Sequence, residues 1–142
     1  MNSRHHCASQ QSGVILLEAL LAILIFSLGI LALVGLQAAA VKQSTDARYR
    51  SEAALLANEV IGQMWVSDRT TATLQGNFNS PGGAAYNNWL ARVGGILPGV
   101  AANPPTVAID GQGIATITVF WNAPNEPAGT APHQYVAIAQ IR

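Results

Sequence analysis

From Val14 to Leu36 the chain reads VILLEALLAILIFSLGILALVGL, 23 residues carrying one charge, Glu18. At the α-helical rise this run is about 34 Å long, enough to cross the hydrocarbon core of a bilayer. A secretory signal has a shorter apolar core followed closely by a small-residue cleavage site. The nearest small run here, Ala38-Ala39-Ala40, sits inside a pattern that continues as helix. The sequence therefore predicts a retained membrane helix. The residues before it, MNSRHHCASQQSG, are polar.

Toward the C-terminus the helical pattern does not stop at Leu36. From Gln37 to Trp65 there is no Pro, and the only Gly is Gly62. Tyr49, Ala53, Leu56, Val60 and Met64 recur at spacings of four, three, four and four, one stripe on a helix. Lys42, Asp46, Arg50 and Glu59 fall largely off that stripe. The pattern predicts one helix from Val14 to about Ser67, its first half in an apolar medium and its second half packing a small domain.

Composition narrows the classes. Charged residues make up 10% of the 142, hydrophobic residues 50%, and seven Lys+Arg balance seven Asp+Glu. Nothing draws such a chain electrostatically to nucleic acid or to an anionic surface. The one cysteine, Cys7, precedes the apolar run, whereas a lipid-anchored cysteine would follow one, and alone it forms no internal disulfide. His5 and His6 beside it have no further ligand nearby in sequence. Flanking charge gives Arg4 on one side of the apolar run and Lys42, Arg48 and Arg50 on the other. A plain count places the C-terminal side in the cytoplasm.

Glu18 speaks against reading the run as a plain anchor. A carboxylate in an apolar helix is costly and usually has a partner or a task. One reading of Glu18 is local: it lies one turn into the run, where the helix macrodipole favours an anion and the side chain can reach the interface. Its context supplies another. Gly13 precedes the run directly, and Glu18 is the fifth residue after it, in Ser12-Gly13-Val14-Ile15-Leu16-Leu17-Glu18.

This string resembles the class III signal of type IV prepilins. The resemblance implies a leader, residues 1–13, that a prepilin peptidase removes between Gly13 and Val14. It implies N-methylation of Val14 and an assembly role for Glu18, whose carboxylate neutralises the new α-ammonium, usually in a neighbouring subunit. Val14 stands where major pilins usually have Phe, and Val or Met is common there among minor pilins. The family topology puts the leader in the cytoplasm and the rest outside, against the charge count. Pilin helices can also unwind on leaving the membrane, and Gly35 falls where major pilins often carry Pro.

Residues 68–105 are rich in Gly, Asn, Thr, Ser and Pro, which predicts mostly loop with one short helix around Tyr86–Val93. Three strands are expected after it. Thr106–Ile109 leads through the turn Asp110-Gly111-Gln112-Gly113 into Ile114–Trp121, where Ile117, Val119 and Trp121 share a face. A polar loop, Asn122–Pro132, precedes Gln134–Ile141. The fold class is α+β: a long N-terminal helix packed on a small three-stranded antiparallel sheet. Trp65, Trp89 and Trp121 are expected in the core, with Trp89 the one that could instead meet a partner.

The layout further resembles the PilV group of minor pilins (type IV pilus modification proteins). The resemblance runs through Trp89-Leu90, Leu97-Pro98-Gly99 and the strand ending at Trp121. It implies three parts: the leader 1–13, a membrane and assembly helix 14–41, and a periplasmic head 42–142. The head lacks the C-terminal cysteine pair of major pilins. The function implied is a structural subunit, anchored in the inner membrane and then carried on a surface pilus, that helps prime assembly, tip display, adhesion and twitching. Its partners would be other minor pilins, the major pilin, the prepilin peptidase and a tip adhesin. The alternative is a minor pseudopilin of a type II secretion system, which shares the signal and the helix. A pilin that binds host surfaces or DNA is a third class, and neutral charge counts against DNA.

No catalytic constellation is legible. Once residues 1–13 are set aside, His133 is the only His and Lys42 the only Lys. A Ser-His-Asp system would have to use His133, which the sequence places in a Pro-rich loop. Gly94-Gly95 and Gly99 lack the Lys of a phosphate loop, and no His/Cys/Asp/Glu spacing suggests a metal. The expectation is no enzyme, no cofactor and no nucleic acid.

Overall fold

The structure, a computed structural model, describes residues 12–124, 126, 127 and 129–141. Arg4, His5, His6 and Cys7 lie outside the described residues. The element order is α1 (Ser12–Val66), α2 (Thr71–Phe78), α3 (Ala84–Ile96), β1 (Thr106–Ile109), β2 (Ile114–Trp121) and β3 (His133–Gln140). The chain divides into two units between Lys42 and Gln43, a boundary that falls inside α1.

In the first unit α1 runs through Gly29 and Gly35 without a break, so the unwinding implied at Gly35 is absent. Each glycine weakens helix by about 1 kcal/mol relative to Ala, and its neighbours here are strong or neutral helix formers. Every residue from Gly13 to Lys42 is exposed. This is the one described helix long and apolar enough to cross a membrane.

In the second unit the part of α1 from Gln43 to Val66 packs on the sheet, as the stripe predicts. Ala53, Leu56, Val60 and Met64 are buried, with Ala57 beside them and Tyr49 half-buried. Trp65 departs from expectation: it is 44% exposed, with the Arg69 guanidinium 5.9 Å from its ring centre. One residue past Met64 is about 100° around the helix, which turns Trp65 off the buried face.

Residues 68–105 are not mostly loop, because two helices lie there. α2 was hidden by its composition, TATLQGNF, with Thr, Gly and Asn in eight residues. Tertiary burial of Leu74 and Phe78, one turn apart, overrides that weak propensity. Asp68 accepts the Thr70 N–H at 3.0 Å just before the helix, and this bond holds its carboxyl below the usual range. α3 extends beyond the expected Tyr86–Val93 at both ends. Its buried residues Tyr86, Trp89 and Val93 are spaced three and four apart. The Trp89 indole N–H donates to the Leu56 carbonyl at 2.9 Å, so this ring is committed to the core and not to a partner.

The sheet has the order β1-β2-β3, antiparallel throughout. Ala115, Ile117, Val119 and Trp121 of β2 face the core and the residues between them do not. The β1–β2 turn is tied by Asp110, whose Oδ1 accepts the N–H groups of Gln112 (2.9 Å) and Ile114 (2.8 Å). Gly113 completes it at φ +76°, where a Cβ would sit 2.6 Å from the Ile141 carbonyl oxygen. β3 begins at His133, not Gln134, because His133 pairs with Trp121 at the end of the ladder.

The outer edge of β1 is closed from α2. Val107 donates its N–H to Ser80 Oγ (3.2 Å), and its carbonyl accepts the Ser80 N–H (3.0 Å) and hydroxyl (3.1 Å). Ile109 donates to Asn79 Oδ1 (2.9 Å) and accepts from Gln75 Nε2 (2.9 Å).

Candidate functional site

The residues singled out by sequence, Gly13, Val14 and Glu18, all lie at the start of α1. The Gly13–Val14 bond falls in the first turn of the helix, and a Cβ built on Gly13 meets nothing within 4 Å. Val14 and Glu18 are four apart, so they share a face with a rise of about 6 Å between them. Val14, Ile15, Leu16 and Leu17 around them are 63–68% exposed. Beyond Glu18, a shallow apolar groove is lined by Leu17, Leu20, Leu21 and Leu24, spaced at three and four. Between Glu18 and Lys42 there is no other charge.

This arrangement cannot satisfy itself. Over twenty apolar side chains stand exposed on one helix, which water would not tolerate (a few hundred Å² is the usual limit for a contiguous apolar patch). Lipid tails or other helices must cover them. In either medium a lone carboxylate costs several kcal/mol unless it takes up a proton, reaches the interface or meets a cation. The first unit carries a helix, an apolar surface and one acid near its start.

The second unit holds two further features. Leu90, Gly94, Leu97, Pro98, Gly99, Val100, Ala101 and Pro104 line an apolar concavity at the end of α3. Leu97-Pro98-Gly99 and the end of β2, far apart in sequence, meet beside it. The Asn122 N–H donates to the Pro98 carbonyl at 3.0 Å, and Gly99, at φ +82°, passes so close to Asn122 that a Cβ would lie 3.0 Å from it. Such a tight contact explains glycine there.

The other feature is His133. It is not in the loop but at the first position of β3, stacked on Trp121 with ring centres 5.7 Å apart. Its Nε2 lies 2.6 Å from Glu126 Oε1, and Glu126 Oε2 accepts the Ala123 N–H at 3.2 Å. Sequence reading missed Glu126, seven residues from His133 across a turn whose path local pattern does not reveal. The pair closes the β2–β3 loop onto the end of the ladder. Among the described residues no three His, Cys, Asp or Glu side chains are grouped so as to hold a metal ion.

Arg92 and Glu59 form an ion pair at 2.9 Å between α3 and α1. The Arg92 side chain is 63% exposed, so the pair contributes little beyond about 1 kcal/mol.

Neither family models, nor curated proteins, nor solved structures give a match to this chain.

Proposed function

We propose that the chain is a minor pilin of the type IV pilus kind, similar to the PilV group, with a structural and not a catalytic role. The observation that carries this reading is the first unit: an exposed apolar helix whose single charge, Glu18, stands five residues after Gly13. Hydrolysis of the Gly13–Val14 amide would free an α-ammonium at Val14, and methylation would keep its charge. In one chain that ammonium and Glu18 lie about 6 Å apart along the axis. A neighbouring parallel helix, shifted by about that rise, brings one chain's ammonium beside the next chain's carboxylate. The pairing removes the cost of two buried charges at once, and it is repeatable because donor and acceptor sit on different ends of the contact.

On this reading the first unit spans the inner membrane and then enters the filament core, while the second unit is displayed outside. The partners are other minor pilins, the major pilin, the prepilin peptidase and a tip adhesin. The apolar groove at Leu17, Leu20, Leu21 and Leu24 supplies contact area for a neighbouring helix.

Mass spectrometry of N-terminal peptides from filaments sheared off producing cells tests the proposal. The expected peptide begins at N-methylated Val14. The same peptide confined to membranes would favour a secretion pseudopilus, and an intact residue 1–13 segment would overturn the processing site. Two variants separate the steps. Gly13→Val should leave the leader attached, while Glu18→Ala should be processed normally and fail to enter filaments. Unchanged incorporation of Glu18→Ala would remove its assembly role.

A further inference from the structure

The two edges of the sheet are built differently. The bonds Asp110 N–H to Ile114 O and Ile141 N–H to Gly113 O set the phase of the two ladders. By that alternation Val107 and Ile109 of β1 turn their main-chain groups away from β2, and these are the groups that Gln75, Asn79 and Ser80 close. In β3 the same alternation turns Gln134, Val136, Ile138 and Gln140 outward. No described residue bonds to the outward N–H and carbonyl groups of Val136 and Ile138, the middle two.

Their side chains are exposed as well, Val136 at 47% and Ile138 at 69%. They stand on the outer face opposite Thr118 and Thr116 of β2. Native sheets protect an edge with charge, proline, a bulge or a covering segment. β3 reads HQYVAIAQ: it has no Pro, Lys, Arg, Asp or Glu, and it pairs with β2 through all eight residues without a bulge. Among the described residues, one edge of this sheet is closed at Val107 and Ile109 and the other is open at Val136 and Ile138, on a strand without Lys, Arg, Asp or Glu.

We propose that the open edge of β3 is a strand-addition site for an extended, uncharged segment of another polypeptide, recognised through the main chain of Val136 and Ile138. An exposed row of alternating donors and acceptors fits only another extended backbone. The added strand would place β-branched or aromatic side chains at two alternate positions over Val136 and Ile138, extending the Thr and Ile/Val pairs of the outer face. Charge on it would be set against an uncharged surface with no counter-ion.

A second copy fits poorly. Its β1 edge is closed, which blocks head-to-tail continuation of the sheet. Antiparallel β3-to-β3 pairing about a two-fold axis would reverse the helix segment Gln43–Val66 of one copy relative to the other. Two chains held in one membrane do not accommodate that reversal, a step that rests on the anchoring proposed above.

The test uses the full chain in detergent micelles, read by amide hydrogen exchange and by particle mass. The probe is a blocked Thr-Val-Thr-Val-Thr-Val peptide with a terminal lysine at each end for solubility. Its control carries an N-methyl group on every Thr and Val, which removes the N–H donors of both bonding edges. In the free chain the Val136 and Ile138 amides should exchange at least about tenfold faster than those of Val107 and Ile109. Saturating peptide should slow Val136 and Ile138 by about tenfold or more, and the N-methylated control should not. Ile138→Lys, at an exposed position, should keep the fold by circular dichroism and lose the protection. Unchanged exchange at millimolar peptide, or equal protection by the control, would overturn the proposal. Slow exchange in the free chain together with a dimer mass would assign the edge to a second copy and overturn it equally.

Discussion

The two halves of α1 have the same backbone and opposite relations to the rest of the molecule. From Gln43 onward the helix buries a stripe, Ala53 to Met64, against α3 and the sheet. Before Lys42 its apolar side chains are exposed all round, with Phe26 at 70% and Leu31 at 69%. Amphipathic spacing lets a helix be satisfied by its own chain, whereas uniform apolarity leaves it dependent on lipid or on other helices. The first kind of segment stabilises its own domain; the second kind needs a cover from outside the chain. Sheet β1-β2-β3 repeats the contrast on a smaller scale, with one edge closed internally and one left for another molecule.

The strongest way to break the comparison is at Trp89. Trp89→Ala removes a ring that is 1% exposed and the indole N–H that is a second donor to the Leu56 carbonyl. It should destabilise the head by about 3–5 kcal/mol, read by chemical denaturation of the full chain in micelles. A loss below about 1 kcal/mol would mean that the head does not rest on this core.

Tyr86 sharpens the comparison from the side of pH. Burial raises its phenol above the ordinary 10.0, and its hydroxyl donates to the Pro105 carbonyl at 2.7 Å. The folded value exceeds the unfolded one, so this contribution is complete below pH 10.0 and is lost as pH rises through the folded value. Head stability should fall on the alkaline side. Tyr86→Phe should cost about 1 kcal/mol at neutral pH and flatten that alkaline limb. A limb that stays as steep in Tyr86→Phe would exclude Tyr86 as its source.

The smallest expected effect lies in the first unit. Leu24→Ala, at a side chain 57% exposed, should leave head stability within about 0.5 kcal/mol of the parent. The same change should weaken whatever covers the groove at Leu17, Leu20 and Leu21, read as reduced recovery in sheared filaments. A large drop in the head's unfolding midpoint would show instead that the apolar half of α1 contributes to the stability of the head.

Much of this was legible from local pattern. The run VILLEALLAILIFSLGILALVGL is read from its length and uniform apolarity, while the stripe through Leu56 and Val60 and the alternation of Ile117, Val119 and Trp121 each carry a period that only one element satisfies. Gly13, Val14 and Glu18 were singled out by spacing alone. Trp65 was misplaced because composition says that tryptophan is buried, while its position one residue off the stripe says otherwise. His133 was read as loop because Pro132 precedes it, and only pairing with Trp121 makes it strand.

What the sequence determined by itself was the helix, its apolar half, its packing half and the three strands, since hydrophobic periodicity acts between near neighbours. What only the tertiary structure decided was α2, the Glu126–His133 contact, and which sheet edge is closed. Gln75 reaches Ile109 across 34 positions and Ser80 reaches Val107 across 27, so nothing local signals those bonds. An eight-residue helix of threonine, glycine and asparagine forms because buried Leu74 and Phe78 hold it in place, and its end closes β1 as a consequence. Among the described residues β3 has no such segment bonded to Val136 and Ile138, and their outward backbone stays open for that reason.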